Sequence, residues 1–90
     1  MKIVKIEMLG YDCVIQQHRF YKSEVVELNK DFISKVRVMC KDFIKESYGN
    51  SWRYSALEGH IREDMFKENG RIFLYTFEDY NNAYLYWTFI

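Results

Sequence analysis

The chain opens on an alternation. In residues 2–9, KIVKIEML, apolar Val4, Ile6 and Met8 take one parity while Lys5 and Glu7 take the other. A two-residue period predicts a strand with one buried face. Residues 13–21, CVIQQHRFY, are again rich in β-branched and aromatic types, and Gly10 and Asp12 between the runs have turn chemistry. An N-terminal hairpin is the expectation. Val25-Val26-Glu27-Leu28 reads as a third short strand, because Asn29 and Asp31 then supply a helix N-cap and an acid in the first turn.

From Lys30 to Tyr48 the period changes. Phe32, Val36, Met39, Phe43 and Ser47 recur at three- and four-residue steps beside Ile33, Cys40 and Ile44, and Gly49 follows as a left-handed stop. That spacing predicts a helix with one apolar face. A second helix is expected over 56–68. Ser55-Ala56-Leu57-Glu58 has the form of a capping box, Leu57, Ile61 and Met65 make a narrow apolar stripe, and Asn69-Gly70 ends it. Gly59 inside it costs about 1 kcal/mol relative to alanine, which hints at close packing.

Residues 71–78 (RIFLYTFE) and 83–90 (AYLYWTFI) flank Asp79-Tyr80-Asn81-Asn82. Asparagine tolerates positive φ, so Asn81-Asn82 fits the centre of a type I′ turn. That turn would set Leu74 opposite Phe89, Thr76 opposite Trp87 and Phe77 opposite Tyr86. Together the elements describe one α+β domain over residues 1–90, ordered β-β-(β)-α-α-β-β. Its antiparallel sheet, built from the N- and C-terminal hairpins, carries the two central helices on one face.

Ninety residues of neutral formal charge, 13 Lys+Arg against 13 Asp+Glu, disfavour a chain held to phosphate by excess positive charge. No run of about 18 apolar residues exists, and the N-terminal residues interleave charges where a signal peptide needs an apolar stretch. Cys13 and Cys40 lie 27 positions apart with no C-x-x-C pair, so reduced thiols, a cytoplasmic setting and no metal are expected. Ala (2) and Pro (0) are scarce, while Ile, Lys, Tyr, Phe, Asn and Met together make 40 residues. Those six types have AT-rich codons, so an AT-rich genome, such as that of a low-GC bacterium or its phage, is the expected source.

The C-terminal hairpin holds 8 of the 17 aromatic residues. Ile72, Leu74, Leu85, Trp87 and Phe89 make a core-like face. On the opposite face Phe73, Tyr75, Phe77, Tyr84 and Tyr86 are richer in tyrosine, a residue suited to interfaces. Either the N-terminal hairpin covers this second face within the chain, or Tyr75, Phe77, Tyr84 and Tyr86 form a contact patch. If open, it would bind another protein, or a second copy in a two-fold dimer through that sheet face or its edge.

On the first helix Lys30, Arg37, Lys41 and Lys45 fall on one narrow stripe, a candidate contact for phosphate or for an acidic protein, with a solvated face as the ordinary explanation. His60 and Asp64, four apart with Arg62 between them, could with Arg53 and Tyr54 form a metal-free ribonuclease, although residues 51–90 carry more acids than bases. No Ser-His-Asp order, glycine-rich phosphate loop or paired-carboxylate motif is present. The favoured expectation is therefore a non-enzymatic protein-binding module without a cofactor, such as a small phage or mobile-element inhibitor of a host enzyme. Nucleic-acid binding through the basic stripe and ribonuclease activity are the alternatives.

Overall fold

A computed structural model describes residues 2–12, 15–48, 61–77 and 81–90. Its elements are β1 (Ile3–Asp12), β2 (Gln17–Glu27), α1 (Phe32–Tyr48), a 3-10 turn (Glu63–Met65), β3 (Gly70–Phe77) and β4 (Asn81–Phe89). The four strands form one antiparallel sheet in the order β2-β1-β4-β3. The α+β class and the antiparallel sheet agree with the expectation.

β1 sits inside the sheet, so both of its edges are bonded. The alternation read from its sequence holds: Val4, Ile6 and Met8 are fully buried, while Lys5, Glu7 and Leu9 are half-buried on the other face. β2 runs the length of β1, from Gln17 opposite Asp12 to Glu27 opposite Ile3, with an irregularity between Gly10 and Tyr11. Val25–Glu27 is the end of β2 and not a separate third strand, because it stays in the ladder with Ile3–Lys5; the Leu28 N–H extends it by bonding the Lys2 carbonyl at 2.9 Å. Gly10 and Asp12, expected in the turn, belong to β1. The reversal falls later, and Gln16 within it takes φ 55°. At the other end of the sheet the Ile90 N–H bonds the Ile3 carbonyl at 2.9 Å.

α1 begins where Asn29 orders the chain. The Asn29 side-chain oxygen accepts the Asp31 N–H at 2.9 Å, and its carbonyl accepts the Phe32 N–H at 3.1 Å. The helix lays Phe32, Val36, Met39, Cys40, Phe43 and Ile44 onto Val4, Ile6, Met8 and Val26. Burying side chains of this size stabilises by roughly 1.5–3 kcal/mol each.

Among the described residues one α-helix is found where two were expected over the chain. Residues 56–60 of the second lie outside the described set, and from Ile61 onward the chain is not α-helical. Arg62 is extended (φ −124°, ψ 151°) and only the 3-10 turn follows. A tertiary contact explains this: the guanidinium of Arg37 on α1 donates from Nη2 and Nε to the Ile61 carbonyl, at 2.8 and 3.2 Å. In a helix that carbonyl would bond the Met65 N–H, which turns instead to the Arg62 carbonyl at 3.3 Å. The segment then folds over the sheet. Phe66 packs edge-on against both Phe32 and Trp87, with ring centroids 4.9 Å apart in each pair. The Trp87 indole N–H donates to the Glu68 carbonyl at 2.7 Å, and the Phe89 N–H donates to the Asn69 side chain at 2.8 Å.

The C-terminal hairpin departs from its expected register. Asn81 and Asn82 are strand residues opposite Phe77 and Thr76, so they do not form the turn, and residues 78–80 between the strands lie outside the described set. Trp87 stands opposite Gly70 and not Thr76. Packing gives the reason: a Cβ on Gly70 would lie 2.5 Å from Trp87 Cζ2 and 2.9 Å from Cε2, so the indole occupies the space a side chain would need. Gly70→Ala is expected to cost about 1–3 kcal/mol through this overlap, read as a lower urea midpoint at unchanged slope. An unchanged midpoint would mean that the indole has another place to go. Between Phe73 and Tyr75 the register shifts by one residue, and Leu74 at the shift is buried.

Candidate functional site

The two faces of the sheet differ. α1 and residues 61–69 send their apolar side chains into the core on one face. Over the other, no element lies among the described residues. The N-terminal hairpin does not cover it, because β1 pairs edge to edge with β4 and so widens the same sheet.

A cross-strand row on this outer face sets Phe73 opposite Tyr84, Tyr84 opposite Leu9 and Leu9 opposite Tyr21. The rings are in contact. Phe73 and Tyr84 have centroids 4.7 Å apart, Tyr84 and Tyr86 6.3 Å, and His18 reaches across β1 to lie 6.1 Å from Tyr84 and 5.4 Å from Tyr11. These separations lie in the range of favourable ring pairs. Phe73 remains 58% exposed and Tyr21 57%. Beside Phe73 and Tyr84, a recess of about 300 Å³ is also lined by Arg71 and Ile72. Polar groups on the face neutralise one another locally: Tyr21 Oη donates to Glu7 Oε2 at 2.9 Å, and Lys5 Nζ lies 4.0 Å from the same oxygen.

Of the residues expected in the aromatic patch, Tyr84 and Tyr86 lie on this face, half-buried, with Phe73 beside them. The register shift changes the position of the other two. Tyr75 comes opposite Ala83 and Phe77 opposite Asn81, out of phase with Phe73 opposite Tyr84; the Tyr75 and Phe77 side chains lie outside the described set. Tyr11, His18 and Tyr21 were missed as members. The alternation Lys5, Glu7, Leu9, Tyr11 was a signal for them, since it continues one parity of β1 to its end.

The basic stripe is divided. Arg37 is half-buried and bonded to the Ile61 carbonyl, which makes it a strut between α1 and the following segment; Lys30, Lys41 and Lys45 are exposed. Of the ribonuclease set, His60, Arg53 and Tyr54 lie outside the described residues. Arg62 and Asp64 are exposed and 3.6 Å apart as an ordinary surface ion pair. Among the described residues no three His, Cys, Asp or Glu side chains gather as a metal site. Cys13 lies outside them. Cys40 is buried in the core, where desolvation pushes its thiol from the ordinary 9.0 up to about 12, so at neutral pH it holds its proton and is no nucleophile. No described helix is long and apolar enough to cross a membrane. Comparison with family models, with curated proteins and with solved structures finds no match for this chain.

Proposed function

We propose that the chain is a non-enzymatic protein-binding module that holds its partner on the outer face of the sheet. The observation that carries this reading is the contact series Phe73, Tyr84, His18 and Tyr11, with Tyr86 beside it, on a face that no described element covers. Clustered rings of this kind supply most of the energy in protein interfaces, because they bury large areas with few rotatable bonds. An interface of standard size buries about 800 Å² on each partner, about an eighth of the 6023 Å² this chain exposes. The fuller form of the reading is an inhibitor or adaptor whose face occupies the working surface of a host enzyme.

Base stacking on the same rings is the weaker reading. A stacking platform works beside a positive groove that follows the phosphates, whereas here Lys5 is paired with Glu7 and Arg71 stands as the other described cation of the face.

The test compares wild type with the double variant Phe73→Ser/Tyr84→Ser as bait in lysate of the native cells, followed by affinity measurement on the purified captured protein. The expected result is a captured protein whose affinity falls at least about 100-fold in the variant, since two interface rings are removed. Equal capture by both baits rejects this face. Recovery of RNA in place of protein, with salt-sensitive affinity, selects the stacking reading.

A further inference from the structure

We infer that β2 is a dimerisation edge, on which the β2 strand of a second copy pairs antiparallel about a two-fold axis at Ser23 to make a continuous eight-stranded sheet. β2 is the outer strand of the order β2-β1-β4-β3 and is eleven residues long, about twice the usual strand length. Its bonding polarity is fixed by the register with β1. The Leu28 N–H bonds the Lys2 carbonyl, so Val26, Glu24 and Lys22 also turn their backbone groups toward β1. Tyr21, Ser23 and Val25 turn theirs to the free edge. Among the described residues no strand pairs with that edge.

The side chains select a second copy as the occupant. With Ser23 opposite the partner's Ser23, Tyr21 meets the partner's Val25, Phe20 meets the partner's Val26 and Lys22 meets the partner's Glu24. The symmetry repeats each pair. Moving the axis by one residue would set Lys22 against the partner's Lys22, or Glu24 against the partner's Glu24, and like charges directly opposite are destabilising. Charge therefore picks the Ser23 register over its neighbours. Bonding polarity is satisfied in all three registers, since each opposes residues whose backbone groups point outward, so the choice among them rests on charge.

The surroundings fit the same geometry. Tyr21 (57% exposed), Val25 (58%) and, on the neighbouring helix, Val38 (57%) account for three of the exposed large apolar side chains. An open groove of about 630 Å³ between the end of β2 and α1 has Val26 and Met39 among its apolar residues, and Glu24, Glu27 and Asp31 outnumber Lys35 along it. In the dimer the partner's Phe20 and Lys22 arrive at this groove, one opposite Val26 and the other opposite Glu24. An apolar group thus meets the apolar lining, and a cation meets an excess of carboxylates. The edge carries no proline, the usual guard against such pairing.

Sedimentation equilibrium over a range of concentrations is the test, with five samples beside wild type. Wild type should be a concentration-dependent dimer. Ser23→Pro removes an N–H that faces the free edge and pairs with no strand among the described residues, so it should be a monomer with native circular dichroism. K22E and E24K should each raise the dimer Kd at least about tenfold, because attraction becomes repulsion at two symmetric pairs. Their equimolar mixture should dimerise as wild type does, since every opposed pair is then of opposite sign. A monomeric wild type, a dimer untouched by Ser23→Pro, or a mixture no tighter than K22E alone would each overturn the proposal. A dimer lost in Phe73→Ser/Tyr84→Ser but kept in Ser23→Pro would place self-association on the outer sheet face instead.

Discussion

Phe66→Ala is expected to remove about 3–5 kcal/mol of folding stability, a large fraction of what a domain of this size has. Phe66 belongs to no helix or strand, yet it is buried and forms the middle of a three-ring stack with Phe32 on α1 and Trp87 on β4. Its ring therefore connects the helix, the 61–69 segment and the sheet. Truncation leaves a cavity lined by two rings that cannot readily close, because the Trp87 indole is tied to the Glu68 carbonyl and Phe32 is held at the start of α1. Urea unfolding at fixed protein concentration measures the loss. A cost below about 1 kcal/mol would show that the segment does not rest on Phe66. Wild-type indole fluorescence in the folded variant, read in a Trp52→Phe background that leaves Trp87 as the single indole, would argue that Trp87 keeps its place without it.

The second large effect is in alkali. The Cys40 thiol is held at about 12 by burial, against an ordinary 9.0, while the unfolded chain titrates at the ordinary value. Below pH 9 both states keep the proton, and Cys40 adds no pH dependence. From pH 9 to about 12 the unfolded chain releases its proton and the folded chain does not, so the unfolded state binds fewer protons and stability falls as pH rises. The slope rises to about 1.4 kcal/mol per pH unit, which makes roughly 2 kcal/mol between pH 9 and 11. Tyrosines and lysines titrate in the same range, so the measurement is the difference between wild type and Cys40→Ala. The variant should lose some stability at pH 7 through its cavity and regain ground on wild type steadily above pH 9. Parallel curves from pH 8 to 11 would contradict a buried, protonated thiol.

Sequence pattern revealed most where one element sets its own packing. α1 was legible because Phe32, Val36, Met39, Cys40 and Phe43 meet the core through spacing alone, and β1 because Val4, Ile6 and Met8 alternate without interruption. The core face of the last strand, Leu85 and Trp87, and the outer positions Tyr84 and Tyr86 followed from the same logic. Where a distant partner decides, the local pattern misled. The stripe Leu57, Ile61, Met65 implied a helix, but the Ile61 carbonyl is taken by Arg37 from 24 residues away. Asn81-Asn82 has good turn chemistry, yet the hairpin register follows the fit of Trp87 over Gly70. Gly70 had been read as a helix stop, whereas its missing side chain makes room for an indole. The outer aromatic face was half legible. Its β3 and β4 members share one hairpin, but Tyr11, His18 and Tyr21 join them only because β1 pairs with β4, a contact between opposite ends of the chain.

That last pairing has a practical side. Since the Ile90 N–H bonds the Ile3 carbonyl, whatever is attached before β1 or after β4 leaves the domain side by side from one end of the sheet, between its two inner strands. Six residues of strand, roughly 20 Å, separate this end from the level of Leu9 and Tyr84. A fluorophore, an affinity handle or a fusion partner at either terminus therefore stands clear of the rings, and the molecule can be anchored by its ends with that surface turned outward.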